Sequence, residues 1–280
     1  MSAGASFTLD GVAVAFAEGE TIMQAARRAG HYIPHLCWHE RLGQSGACRL
    51  CVVQFDGHFA AACTTPALAG LEVRNRTPEL DARRLLLLQM LFVEGNHFCP
   101  SCEKSGACLL QATAYEMGML GPQFEEFHPR RPVDASHPDC WLDLNRCILC
   151  KLCVRASHEI DRKDVFAVGG HGIGSHLIVD APNGLLGASR FAADDFAAQV
   201  CPVGAILPKR RGFAVPIGER RYDRAPVSAA SQASQALPTS QAPLTMQAPP
   251  TTTPLTTPTP TPTPTPAPTP TRTPREEGAA

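Results

Sequence analysis

The 280-residue sequence lacks a hydrophobic run that could cross a membrane. Its longest apolar stretch, Leu85–Leu88 followed after one residue by Met90–Val93, is far below the ~20 residues that a transmembrane helix needs. The sequence also lacks an excess of either charge, and its formal net charge of −1 favours neither a nucleic acid nor an anionic membrane as partner. Residues 1–6 lack the basic and apolar regions of a signal peptide, so we expect a cytoplasmic protein.

Motifs of known catalytic centres are missing too. No Ser-His-Asp or metal–water arrangement stands out, and no pair of C-x2-C motifs near the two ends of the chain could hold a nickel–iron centre. The glycine-rich stretch 169–174 is not a G-x-G-x-x-G motif after a clear strand, so we interpret it as a turn. We therefore assign no catalytic residue to the chain.

Cysteine, by contrast, is abundant, with 12 residues. Disulfides are rare in the cytosol, so this many cysteines without an export signal indicate metal or redox chemistry. Eleven of them fall into three groups. Cys140, beside Trp141, is left over, and we expect it to be a packed, inert thiol.

The first group has the spacing C-x10-C-x2-C-x11-C and consists of Cys37, Cys48, Cys51 and Cys63. Gly43, Gly46 and Ala47 lie near its middle ligands, and small residues let backbone amides approach inorganic sulfide. The pattern predicts a [2Fe–2S] cluster. A structural zinc site also uses four cysteines, but zinc ribbons usually have two C-x2-C motifs and this group has one.

The second group has the spacing H-x-C-x2-C-x5-C and consists of His97, Cys99, Cys102 and Cys108. Three thiolates need a fourth ligand, and His97 is the nearest candidate. We predict a [4Fe–4S] cluster here, with a potential raised by the neutral imidazole. A lone histidine is usually a surface or core residue, and only the adjacent cysteines reverse that expectation.

The third group is the triplet C-x2-C-x2-C together with a distant Cys-Pro, and consists of Cys147, Cys150, Cys153 and Cys201. In two-cluster ferredoxins the Cys-Pro after one triplet serves the other cluster. Here Ser157 stands where the local fourth cysteine would be, and no second triplet precedes Cys201. The pattern therefore predicts one [4Fe–4S] cluster. Zinc is a poor alternative for this spacing.

Local signals indicate an α+β fold. Phe7–Phe16 predicts two strands joined at Asp10–Gly11, and Thr21 predicts the start of a helix that runs to Ala29 before Gly30. Thr77, followed by Pro78, predicts a second helix that ends at Gly95. A short strand is expected near Leu71–Val73. The segment from about 225 to 280 is rich in Pro, Thr, Ala and Gln, and we expect it to be disordered.

The order of these groups resembles a known family. Glu94–Gly106, Asp134–Asp139 and Asn145–Cys150 look especially close to the gamma, or small diaphorase, subunit of NAD-reducing [NiFe] hydrogenase. The chain is also similar, over roughly residues 5–210, to the N-terminal iron–sulfur region of the large NADH dehydrogenase (complex I) subunit. Respiratory homologues place three residues between the histidine and the first cysteine, whereas this chain and the hydrogenase-type subunits place one.

The resemblance implies a fold and a function. The expected domains are a β-grasp [2Fe–2S] ferredoxin domain (1–78), a helical [4Fe–4S] domain with one histidine and three cysteines as ligands (79–118), a ferredoxin-like [4Fe–4S] domain (119–220) and a disordered tail (221–280). The chain would be a non-catalytic oxidoreductase subunit that relays electrons between a diaphorase subunit carrying FMN and NAD(H) and nickel–iron hydrogenase subunits. Complex I or an NAD-dependent formate dehydrogenase is the alternative host, and a zinc-stapled scaffold is the alternative class.

Overall fold

The computed structural model describes residues 5–127 and 129–230, which contain both strands and helices, as the α+β prediction requires. The strands are Ser6–Leu9 (β1), Val12–Ala15 (β2), Val52–Phe55 (β3), His58–Ala61 (β4), Glu72–Val73 (β5), Val133–Asp134 (β6), Cys140–Asp143 (β7), Phe166–Gly169 (β8), His176–Val179 (β9) and Ile206–Pro208 (β10). The α-helices are Ile22–Arg28 (α1), Pro78–Glu94 (α2), Leu109–Glu116 (α3), Leu152–Glu159 (α4) and Phe196–Gln199 (α5).

The predicted hairpin opens the fold. Asp10 and Gly11 have positive φ angles of 50° and 84°, the conformation of a two-residue hairpin turn that matches strand twist. β1 pairs antiparallel with β2 and parallel with β5, which gives the sheet order β2-β1-β5. α1 starts at the predicted cap, where Thr21 and Gln24 form a capping box that satisfies two free amides. These predictions are confirmed.

A second hairpin, β3–β4, goes beyond the sequence-based expectations. Asp56–Gly57 joins its strands with φ angles of 48° and 74°, so the turn signal is present in the sequence. The hairpin follows Cys51 directly and ends two residues before Cys63. It therefore holds two cysteines of the first group at its open end.

The long helix α2 has the predicted limits. Its N-cap is Thr77, whose hydroxyl accepts a hydrogen bond from the Leu80 amide at 3.2 Å, and its C-cap is Gly95. One face is buried, whereas Leu86 and Met90 on other faces are about half exposed. The helix therefore ends just before His97 and Cys99, and its position in the fold fixes where these two residues begin the second group.

The third part consists of short elements around α4 and α5. β7 lies between β6 and β10 in an antiparallel sheet, and β8 and β9 form a hairpin. Gly169 ends β8, and the rest of the glycine-rich stretch 169–174 turns the chain towards β9 through a 3₁₀ segment at Gly172–Gly174, which agrees with its interpretation as a turn. None of the helices in residues 5–127 and 129–230 is long and apolar enough to cross a membrane.

Two hydrophobic cores organise the described residues. The first packs β1, β2 and α1 around residues such as Phe7, Val14 and Ile22, and also contains Cys51 and Cys63. The second extends from Leu36 to Ile206 and buries six cysteines, namely Cys37, Cys108, Cys140, Cys150, Cys153 and Cys201. Seven of the predicted ligand cysteines therefore lie in the two cores, whereas Cys99 and Cys102 are only partly buried.

Residues 221–230, at the start of the predicted disordered tail, pack against the folded part. The Tyr222 amide donates a hydrogen bond to the Gly106 carbonyl at 2.8 Å, and Val227 is fully buried. The folded part therefore extends beyond residue 221, the predicted start of the disordered tail, because the Val227 side chain packs into it. Residues 231–280 lie outside the described residues. Contacts group the described residues into one unit, and the predicted domain boundaries within it stay predictions.

Candidate metal centres

The structure brings the four cysteines of the first group together. The Cys48 amide donates to Cys37 Sγ at 3.3 Å, and the Leu36 amide donates to Cys48 Sγ at 3.4 Å. The thiols of Cys37 and Cys48 hydrogen-bond to each other, as do those of Cys51 and Cys63. This loop folds tightly because Gly43 and Gly46 adopt φ angles of +68° and +69°, which side chains disfavour.

Hydrogen bonds between paired thiols favour one thiolate in each pair of this first group, so the pKa values of Cys37 and Cys63 fall while those of their partners Cys48 and Cys51 rise. Hydrogen bonds lower the pKa of Cys37 to about 6, mainly because the Cys48 thiol and the backbone amides of Cys48 and Ala47 point at its sulfur. The pKa of Cys63 falls to about 7 for the same reason, with Cys51 as the thiol partner. Metal ligands must be deprotonated, so donors aimed at sulfur favour cluster binding at this loop.

The second group lines a single cavity. His97, Cys99, Cys102 and Cys108 surround it together with Phe92 and Gln111. Cys99 begins a 3₁₀ turn, and Cys108 is the N-cap residue of α3, so the local backbone turns each sulfur inward. The structure thus places the predicted fourth ligand, His97, with the three thiols.

The His97 ring is held from two sides. Its centroid lies 5.5 Å from that of Phe92, and the ring packs onto the backbone of Gly95. A Cβ atom at Gly95 would overlap Nε2 of His97, and it would also come within 3.2 Å of the Asn145 carbonyl oxygen. The residue that ends α2 therefore also leaves the space that the imidazole occupies.

The third group lines another cavity with apolar walls. Cys147, Cys150, Cys153 and Cys201 surround it, with Leu177 among the neighbours. Leu149 and Lys151, between the ligands, adopt φ angles of 51° and 60°, which let the short triplet curl around the site. The distant Cys201 directly follows α5 and Val200, and α5 packs against α4.

Burial sets the protonation of these thiols. It raises the pKa of Cys147 to about 11 and of Cys108 to about 12, and it raises those of Cys150 and Cys153 further. Backbone amides nevertheless point at the third-group sulfurs, those of Leu149, Leu152 and Val154. Grouped buried thiolates need a compensating positive charge, and iron supplies it. The donor sets therefore fit iron–sulfur clusters.

No group of three or more His, Cys, Asp or Glu side chains in residues 5–127 and 129–230 has the arrangement of a site for a single metal ion. In a [4Fe–4S] cluster each ligand binds a different iron atom, so the ligands surround a volume instead of converging on one point. Cys140 lines neither of the two cavities, and it is buried in β7, where burial raises its pKa. This agrees with the expected packed thiol.

Three family models match the chain in the order of the three groups. A 2Fe-2S iron-sulfur cluster binding domain matches residues 3–78, and the NADH-ubiquinone oxidoreductase-G iron-sulfur binding region matches residues 84–122. A 4Fe-4S single cluster domain matches residues 140–207.

The chain is 41% identical over 217 residues to the gamma subunit of NAD-reducing hydrogenase HoxS from Cupriavidus necator, and the match covers 77% of this chain and 92% of that subunit. The chain belongs to the family of NAD-reducing hydrogenase gamma subunits.

Other proteins support this family. A chain in the crystal structure of an NAD+-reducing [NiFe]-hydrogenase in the H2-reduced state superposes with a TM-score of 0.80 at 52% identity, covering 82% of this chain and 98% of that one. The NADPH-Fe(3+) oxidoreductase subunit alpha of Geobacter sulfurreducens is 32% identical over 73% of this chain. The mitochondrial NADH-ubiquinone oxidoreductase 78 kDa subunit of Neurospora crassa is 30% identical over 74% of it. This chain covers only 24% of the Geobacter protein and 28% of the Neurospora protein.

One arginine joins two of the ligand groups, and its role was not predicted from the sequence. Arg155, two residues after Cys153, donates to the carbonyl oxygens of Leu42, Gln44 and Cys37 at 2.7, 3.0 and 2.9 Å. It thus fastens the third group to the first. The only sequence signal for this role is its position beside the triplet, because its partners lie more than 100 residues away.

Proposed function

We propose that this chain is the iron–sulfur electron-transfer subunit of an NAD-reducing [NiFe] hydrogenase. It would relay electrons between a diaphorase subunit that holds FMN and NAD(H) and the nickel–iron subunits. The observation that carries this proposal is the presence, in one folded unit, of three ligand groups that are joined by direct contacts. The 41% identity to a gamma subunit that the chain covers almost entirely supports the choice of host.

The proposed ligands are those of the sequence analysis. One [2Fe–2S] cluster is held by Cys37, Cys48, Cys51 and Cys63, one [4Fe–4S] cluster by His97, Cys99, Cys102 and Cys108, and a second by Cys147, Cys150, Cys153 and Cys201. When bound, each cluster accepts and donates single electrons. The β-grasp assignment of the first domain and the ferredoxin-like assignment of the third remain part of this proposal, supported by the matching family models.

The residues of the chain contribute burial, hydrogen bonds to sulfur and fixed spacing. Backbone amides aimed at the ligand sulfurs favour the more negative, reduced form, and apolar walls such as those of the third cavity favour lower total charge. These opposing effects set the potential of each site. The chain itself would not react with NAD or hydrogen, and we place it in the cytoplasm, in keeping with its twelve unpaired cysteines.

Metal analysis tests the ligand assignment. We expect anaerobically reconstituted protein to contain about 10 iron atoms, two in the [2Fe–2S] cluster and four in each [4Fe–4S] cluster, with acid-labile sulfide and EPR signals that appear on graded reduction. An iron content near 6 would remove one [4Fe–4S] assignment. Zinc in place of iron and sulfide would overturn the proposal in favour of the scaffold alternative.

The same chain, tagged and purified from its native cell, tests the host. Nickel and FMN should co-purify with it if the partners are hydrogenase and diaphorase subunits. Molybdenum in place of nickel would identify a formate dehydrogenase host. FMN with neither metal would favour the complex I alternative.

A further inference from the structure

A second arginine beside the third ligand group points a guanidinium at the second group. Arg146 directly precedes Cys147, and its Nη1 lies 3.6 Å from Cys102 Sγ, within hydrogen-bonding distance for sulfur. We propose that Arg146 tunes the second site by raising the reduction potential of the cluster bound there. This inference rests on the ligand set His97, Cys99, Cys102 and Cys108 of the proposed function.

Two carboxylates fix the guanidinium in this position. Arg146 Nε lies 3.0 Å from an oxygen of Asp143, and Nη1 also donates to Glu103 at 3.2 Å. The side chain of Arg146 is only 23% exposed, so solvent screens it less than a surface arginine. A held, partly buried guanidinium keeps its donor directed at the sulfur without reorganisation during reduction.

Close packing of Gly204 against Cys102 leaves the sulfur little freedom to move. A Cβ atom at Gly204 would come within 2.9 Å of Cys102 Sγ and within 3.5 Å of Arg146 Cδ. Glycine at this position therefore lets the segment after Cys201 approach the sulfur closely. The arginine, the sulfur and this backbone form one packed junction between the second and third groups.

The direction of the effect follows from charge. Reduction adds one negative charge to a cluster, and a charged donor at a ligand sulfur stabilises that state more than the oxidised one. Without Arg146, the sulfur would lose this donor. Asp143 and Glu103 would also face the site without their counter-ion. Both changes lower the potential.

Other contacts hold the two groups together independently of Arg146. The Leu109 amide donates to the Pro202 carbonyl at 2.8 Å, and the Asn96 amide donates to the Asn145 carbonyl at 2.9 Å. Each of these backbone bonds lies within two residues of a ligand on both sides. We therefore expect an Arg146 variant to keep its clusters, so that its potential can be measured.

The test compares Arg146→Gln and Arg146→Lys in the full-length, cluster-loaded chain by anaerobic EPR-monitored redox titration. We expect Arg146→Gln to shift the second-site midpoint to a more negative value with unchanged iron content, and Arg146→Lys to show a smaller shift because it keeps the charge. The matched control is Arg83→Gln, which changes an exposed arginine of α2 that pairs with Glu79, and it should leave this midpoint in place. An unchanged midpoint in fully loaded Arg146→Gln would overturn the inference.

A second variant keeps the test decisive if Arg146→Gln fails to load. Glu103→Gln removes a negative charge beside Cys102 and leaves Arg146 in place, so the second-site midpoint should become more positive. No shift in loaded Glu103→Gln would then count against a tuning role for this junction. Failure of the wild-type chain to bind iron at the second site would instead overturn the proposed function itself, and iron analysis separates the two results.

Discussion

His97 supplies the one ring nitrogen among twelve proposed ligands, and its substitution is the most direct test at the scale of a residue. We expect His97→Cys to retain the second cluster but to lower its potential, because thiolate brings a negative charge that neutral imidazole does not. EPR-monitored titration and iron analysis measure both quantities. His58→Cys, at an exposed position in β4, is the control and should change neither. Equal midpoints for His97→Cys and wild type would show that His97 is not a ligand.

The grouping of the proposed ligands could be inferred from the sequence because most of them lie a few positions apart, and short loops force such residues into one site. Even the distant Cys201 could be assigned to the third group, because a Cys-Pro pair in ferredoxins is known to supply the fourth ligand to a remote cysteine triplet. The arginines around the ligand sulfurs could not be inferred in the same way. Arg155 and Cys37 are 118 positions apart, and Arg146 and Cys102 are 44 apart, so only the packed fold reveals these pairs.

At the scale of the element, α2 is anchored by a charge buried in its inner face. Arg84 is completely buried and donates to the carbonyl oxygens of Leu50 and Val52, at 3.2 and 2.7 Å, and to Asn75. Leu50 and Val52 flank Cys51, so the helix holds this part of the first group from behind. Arg84 lies four residues after Leu80 and four before Leu88, so the sequence places it on the same, inward-facing side of the helix as these leucines.

We expect Arg84→Met to destabilise the first site by on the order of 3 kcal/mol, because several buried acceptors lose their donor at once. The measurement is loss of the first-site EPR signal with increasing urea in the loaded chain. Arg83→Met is the matched control on the next, exposed position, where an ion pair with Glu79 and a contact over the Phe59 ring contribute about 1 kcal/mol or less. Equal urea sensitivity of the two variants would contradict the anchoring role.

Most of the elements that were predicted carry local signals, although the β3–β4 hairpin was missed despite its Asp56–Gly57 turn. Thr21, Thr77 and the Asp10–Gly11 turn act within a few residues, so α1, α2 and the first hairpin could be inferred. β7 pairs with β10, where Leu142 faces Ile206, and nothing near either strand specifies the other.

At the scale of the whole molecule, we expect the two cores to depend on iron to different degrees. The second core buries five of the proposed ligand cysteines, together with Cys140, among short elements such as the two-residue β6 and the four-residue α5. The first core contains two buried cysteines and is built on a three-stranded sheet and a capped helix. Bound clusters therefore fill more of the second core, and binding free energy at these sites is folding free energy.

Removal of iron should consequently open the two cores unequally. After anaerobic chelation and removal of the chelator, we expect subtilisin to cleave first between about residues 95 and 207, while the segment 6–28 that forms β1, β2 and α1 resists longer. Burial keeps the released thiols of the second core protonated, and the volume left by the clusters costs packing energy, so this region loosens first. Mass spectrometry of the early fragments gives the order of cleavage, and loaded protein digested in parallel is the control. Early cleavage within 6–28, or identical digestion of loaded and iron-free protein, would show that the clusters are not structural parts of the second core.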